Sequence, residues 1–102
     1  MSVPPLRVVT PAQLRQMFND HDFWARAERG ELQQRLLKES HPSPPRATLP
    51  FCTRSQIIAY LDASGAKVAL VHQYLRPDGS LGASGRPDPK RLLLHGTLYV
   101  VV

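Results

Sequence analysis

Between residues 71 and 102, short β-prone runs alternate with glycine and proline clusters so closely that no helix of ordinary length has room to form. This stretch therefore predicts a compact antiparallel sheet with tight connections. Residues 76–80 (RPDGS) read as a turn and 81–89 as a glycine- and proline-bearing loop, with Asp88 placed to cap a single helical turn. Residues 92–94 and 97–102 read as a hairpin around His95-Gly96, where glycine accepts a positive φ. The third quarter fits the same architecture. Residues 54–61 and 66–74 have a period of two and are joined by Asp62-Ala63-Ser64-Gly65, a type I turn closed by glycine. Opposing Leu61 to Ala66 pairs Ala59 with Val68, Ile57 with Leu70 and Ser55 with His72, which makes that face the one expected to receive helices. The second face then carries Arg54, Gln56, Ile58, Tyr60, Lys67, Ala69, Val71 and Gln73.

The first forty residues have a different pattern. Pro4 and Pro5 exclude helix from residues 1–9, an extended arm whose Leu6, Val8 and Val9 can add an edge strand. Thr10-Pro11-Ala12-Gln13 is a helix start, with Thr10 as N-cap, proline at the first helical position and Gln13 completing a capping box. Leu14, Met17 and Phe18 follow on one face. Asn19, Asp20 and Asp22 supply side-chain acceptors for a second helix starting near Phe23, whose apolar contacts come from Phe23, Trp24, Ala27, Leu32, Leu36 and Leu37. Arg26, Glu28, Arg29, Glu31, Arg35 and Lys38 are read as its solvated side, with Glu31 and Arg35 as an i, i+4 pair, and Gly30 as a weak point. Four prolines make residues 41–53 a stiff connector rather than a ligand for a partner domain. The expected fold is one α+β domain over residues 1–102: an arm (1–9), a helical part (10–40), the connector (41–53) and a β-meander (54–102), with two N-terminal helices packed on a roughly four-stranded antiparallel sheet.

Size and charge narrow the function classes. One hundred and two residues, 42% hydrophobic, suffice for one modest core. The single cysteine, Cys52, excludes an intramolecular disulfide and reads as a small buried hydrophobe, which suits a cytoplasmic protein. No run approaches the ~18 apolar residues of a membrane span, so no membrane partner is expected. Net charge is +5, and it is uneven. Residues 1–40 hold six basic and five acidic side chains, whereas residues 41–102 hold seven and three. That bias favours an anionic partner, either nucleic acid or an acidic protein surface.

Candidate chemistry is sparse. His21, His41, His72 and His95 lack metal-ligand spacing, so neither metal nor cofactor is expected. The leading expectation is a small non-enzymatic binding module using Arg54, Tyr60, Lys67, Arg76, Arg86, Lys90 and Arg91, with Tyr60 as an exposed stacking surface for single-stranded nucleic acid. The loop containing Gly82 and Gly85 adds backbone N–H groups for an anion, but it lacks the spacing of a phosphate-binding loop. An alternative is a metal-independent ribonuclease of toxin type, in which His72 moves the proton and Arg76 and Lys90 stabilise the pentavalent phosphate. A further alternative is a homodimeric structural protein pairing through the edge of residues 98–102.

The segments RPDG (76–79) and GRPDPKRLL (85–93) resemble small bacterial proteins of mobile or phage-derived DNA, a group without an established activity. The resemblance covers the second half of the chain. It implies an accessory rather than a metabolic role and assigns no site residue.

Overall fold

The computed structural model describes residues 3–40, 54–82 and 85–101. Its elements run β1 (Leu6–Val9), α1 (Pro11–Asp20), α2 (Phe23–Glu28), β2 (Gln33–Ser40), β3 (Arg54–Leu61), β4 (Lys67–Leu75), β5 (Asp88–Leu94) and β6 (Thr97–Val101). The fold is α+β. The sheet, however, has six strands rather than four and is mixed, in the order β1-β6-β5-β4-β3-β2, with β1 parallel to β6 and the other pairs antiparallel.

The start of α1 forms as its residue types dictate. Thr10 Oγ1 accepts from Gln13 N–H at 3.1 Å, and Gln13 Oε1 accepts from Thr10 N–H at 2.9 Å. The second helix starts at Phe23 as expected, but its capping and its end differ from expectation. Asp22 occupies the N-cap with φ 52° and makes no side-chain cap, while the Asp20 carboxylate accepts from Gln16 instead. Gly30, at φ 82°, ends the helix, and Glu31 pairs back to Arg26 and Arg29 rather than forward to Arg35. The segment expected to continue the helix is β2, in which Leu36 and Leu37 are 51% and 44% exposed instead of packing into a core. Its residues favour helix locally, but backbone pairing with β3 from Gln33–Leu61 to Ser40–Ser55 overrides that weak preference.

The helices cover one face of the sheet. Leu14, Phe18, Phe23, Ala27 and Leu32 pack on Ile58, Tyr60, Ala69, Val71 and Leu92, with Val9, Tyr99 and Val101 at the margin. This is the face opposite to the one expected, and Tyr60 is in its core. The β3–β4 pairing also slips by two residues: Ala59 opposes Leu70, Ile57 opposes His72 and Ser55 opposes Tyr74. One residue of slip comes from Gly65, at φ 85°, and one from a bulge at Val68 between the Tyr60–Ala69 and Leu61–Lys67 pairs. Other turns form where their residues place them. Asp78 Oδ1 accepts from the Ser80 N–H, and His95 and Gly96 take φ 49° and 76° between the Leu94–Thr97 pair. Asp88 begins β5 and caps no helical turn.

Strand β6 lies between β5 and β1, so the edge invoked for a homodimer is closed by the N-terminal arm. The sheet's edges are β1 and β2. The connector, with His41, Arg46 and Cys52, lies outside the described residues. No helix among the described residues is long and apolar enough to cross a membrane.

Tyr60 provides a direct test of this core. Its ring is fully buried against Phe18, at 6.2 Å between centroids, and its hydroxyl has no hydrogen-bond partner among the described residues. Burial, followed by the nearby Glu28 charge, pushes the phenol above its ordinary range. An unpaired buried hydroxyl costs about 1 kcal/mol or more. Tyr60→Phe is therefore expected to stabilise the fold by about 1 kcal/mol in urea titration, and a loss of stability would show that the hydroxyl is bonded in solution.

Candidate functional site

Because paired residues in adjacent strands share a face, the register defines what the helix-free side presents. One row crosses five strands as Arg35, Ala59, Leu70, Arg91 and Val100. A second runs Lys38, Ile57, His72 and Asp88. At the other end, Lys67 opposes Leu61, while Leu93, Leu98 and Leu6 form a third row. Between them a groove of about 430 Å³ has a floor of Leu37, Leu70, Leu93 and Leu98 and is flanked by Lys67 and Arg91. It is an aliphatic trough with a cationic rim.

The sign of that rim follows from where the carboxylates are used. Glu31 is held by Arg26 and Arg29, and Glu39 by Arg54 at 3.5 Å. Asp62 and Asp78 accept hydrogen bonds inside their own turns, which holds both carboxyls below the usual carboxylate range, chiefly through the Ser64 and Ser80 hydroxyls. Asp88 takes the Lys90 ammonium at 2.8 Å and lies 4.0 Å from Arg15. Arg35, Lys38, Lys67 and Arg91 have no ion pair among the described residues, and all four are on the helix-free side.

A second concavity opens where the sheet forks. Strand β4 pairs with β5 only as far as His72–Asp88 and meets the chain again through the Leu75–Leu81 bridge and the Gly82 N–H to Tyr74 carbonyl bond at 2.7 Å. The gap is a cleft of about 540 Å³, closed on one side by Arg15, Gln16 and Asn19 of α1 and lined by His72, Gln73, Tyr74 and Arg86. Gln73 is held in place by a chain of polar groups. Its Nε2 donates to Gln56 Oε1 at 2.9 Å, and Gln56 Nε2 donates to Glu39 Oε2 at 2.7 Å. Since a carboxylate only accepts, Glu39 sets the direction of both amides.

His72 is half-buried on the helix-free side. Its Nε2 shares a 2.7 Å hydrogen bond with Ser55 Oγ, and its ring meets Tyr74 edge-on at 4.8 Å. Burial and then Lys90 lower its pKa against the opposing pull of Asp88, so it is neutral at pH 7.

The structure divides the residues singled out from sequence. Lys67 and Arg91 flank the trough, Lys90 sits beside Asp88 and His72, and Arg86 lines the cleft. Arg54 is tied to Glu39. Arg76 lies in the turn after β4 with its Nε buried and without a partner among the described residues, and no hydrogen bond or ion pair joins it to His72 or Lys90. Tyr60 is inside the core, so it is no stacking surface. Arg35 and Lys38 carry no signal as binding residues in the sequence, because a helical reading of residues 23–38 puts them on a solvated side, whereas in β2 they share the helix-free sheet face. Arg15, Asn19 and Gln73 carry no sequence signal that separates them from ordinary surface residues. Among the described residues, no three His, Cys, Asp or Glu side chains cluster as metal ligands.

No family model, curated protein or solved structure matches this chain.

Proposed function

We propose that this protein is a binding module whose helix-free sheet face takes an acidic, partly apolar segment of another protein. The observation that carries this reading is a floor of leucines flanked by Lys67 and Arg91, with Arg35 and Lys38 on the same sheet face, all four without ion-pair partners among the described residues. The cations steer an acidic segment and favour its arrival, while the floor buries apolar anchors between the charges. Aliphatic side chains favour this partner over single-stranded nucleic acid, whose bases stack on aromatic rings. The trough has none along its floor. In the ribonuclease reading His72 would work with Arg76 and Lys90, but His72 Nε2 is engaged by Ser55 and the Lys90 ammonium by Asp88.

The test compares a labelled acidic peptide containing leucine anchors with an RNA oligonucleotide of equal charge, at low and high salt. The peptide is expected to bind and to retain part of its affinity at high salt, since apolar burial is not screened. Tighter RNA binding with a steep salt slope would replace this reading with a nucleic-acid one. Shortened RNA would point to the ribonuclease, and no binding of either probe would end the proposal.

A further inference from the structure

The cleft in the forked sheet is separate from the leucine trough and differs from it in chemistry. Its volume of about 540 Å³ is in the range that encloses small ligands, roughly 300–1,000 Å³. One wall is aromatic, formed by Tyr74 and His72 with their rings 4.8 Å apart. On the helix side of the same gap, α1 contributes Arg15 and Asn19 to the lining, and Arg86 adds a second cation from the loop before β5. Asp88 is the carboxylate at the rim; the Lys90 ammonium at 2.8 Å offsets its charge, so that the longer contact with Arg15, at 4.0 Å, is the one a bound anion would replace. Gln73 presents an amide whose orientation is already fixed by Gln56 and Glu39. A preset amide costs a ligand little to order.

We propose that this cleft binds a mononucleotide-sized anion, with a planar ring against Tyr74 and His72 and the anionic group between Arg15 and Arg86. An aromatic wall, two cations and fixed amides are the elements such a ligand requires: stacking for the ring, charge-assisted hydrogen bonds for the anion and polar partners for ring substituents. Asn19 and Gln73 suit those substituents, since an amide both donates and accepts. Nucleoside monophosphates and aromatic carboxylates share this chemistry, so the probes must separate them.

The experiment titrates the intact protein with UMP, AMP, uridine, inorganic phosphate and indole-3-acetate, following amide and side-chain chemical shifts. UMP or AMP is expected to bind in the submillimolar range and to shift Asn19, Gln73 and Tyr74, with uridine and phosphate at least about tenfold weaker because each supplies only half of the interaction. If indole-3-acetate binds at Asn19, Gln73 and Tyr74 in place of the mononucleotides, the site is assigned to aromatic carboxylates. Arg15→Ala changes an exposed helix position and should weaken the bound probe about tenfold. Tyr74→Ala should do the same, and Asn19→Ala replaces it as the test should that variant unfold. The proposal is overturned if no ring-bearing anion shifts these residues, if phosphate alone binds as tightly as UMP, or if Arg15→Ala leaves the affinity unchanged.

Discussion

Phe18→Ala is expected to destabilise the fold by about 3–5 kcal/mol, a large share of the 5–15 kcal/mol that holds a domain of this size together. Phe18 is 3% exposed and joins three parts of the core: its ring stacks on Phe23 at 5.8 Å and 11°, meets Tyr60 at 6.2 Å, and projects from the face of α1 that covers the sheet. Truncation removes the stacking partner of α2 and opens a cavity that neighbouring residues cannot fill without moving a helix. Urea unfolding measures the loss, which at about 1 kcal/mol per molar corresponds to a midpoint several molar lower. A loss below about 1 kcal/mol would mean that α1 does not dock through Phe18.

The second large effect concerns binding. Arg35 and Arg91 lie on one row of the helix-free face, separated by Ala59 and Leu70, and both are exposed. Reversing both, as Arg35→Glu with Arg91→Glu, removes two attractions for an acidic segment and introduces two repulsions. At up to about 1 kcal/mol for each exposed charge contact, the combined change is about 2–3 kcal/mol, or roughly a hundredfold in Kd at low salt. Stability should hardly change, because both side chains are exposed and neither has an ion pair among the described residues. Salt supplies the control: the gap between variant and wild type should narrow as ionic strength rises. An unchanged Kd at low salt would move the binding surface elsewhere on the molecule.

How much of this was legible in the sequence depended on whether local rules had competition. Thr10-Pro11-Ala12-Gln13 specified a helix start, and Asp78-Gly79 and His95-Gly96 specified turns, because side-chain and backbone geometry within a few residues decides those cases. Residues 57–61, Ile-Ile-Ala-Tyr-Leu, are apolar at every position, so a period of two could not say which face received the helices. The wrong choice placed Tyr60 in solvent. The segment Gln33–Ser40 failed for a different reason: its helix-favouring residues form a strand because β3 offers an open edge, a partner that local propensity does not register. That reversal also concealed Arg35 and Lys38, two of the four cations on the helix-free face that have no ion pair among the described residues. The cleft was illegible throughout. It arises from the point where β4 and β5 part, which depends on the register and on the bulge at Lys90 between the Leu70–Arg91 and Val71–Pro89 pairs.

The parallel pairing of β1 with β6 also has a consequence for how the chain is made. Leu6 finds its partner Leu98, and Val9 its partner Val101, only after about ninety further residues have been made. Until then Leu6 and Val8 travel without a strand to join, and β5 and β6, the last two strands of this sheet in chain order, arrive as a hairpin of adjacent residues. The sheet is thus completed in one late step that joins segments about ninety residues apart, the kind of contact that loop-closure entropy makes slow. During that interval the outer side of β6 is an open strand edge, so the nascent chain is most exposed to association with its own copies just before its N-terminal strand docks.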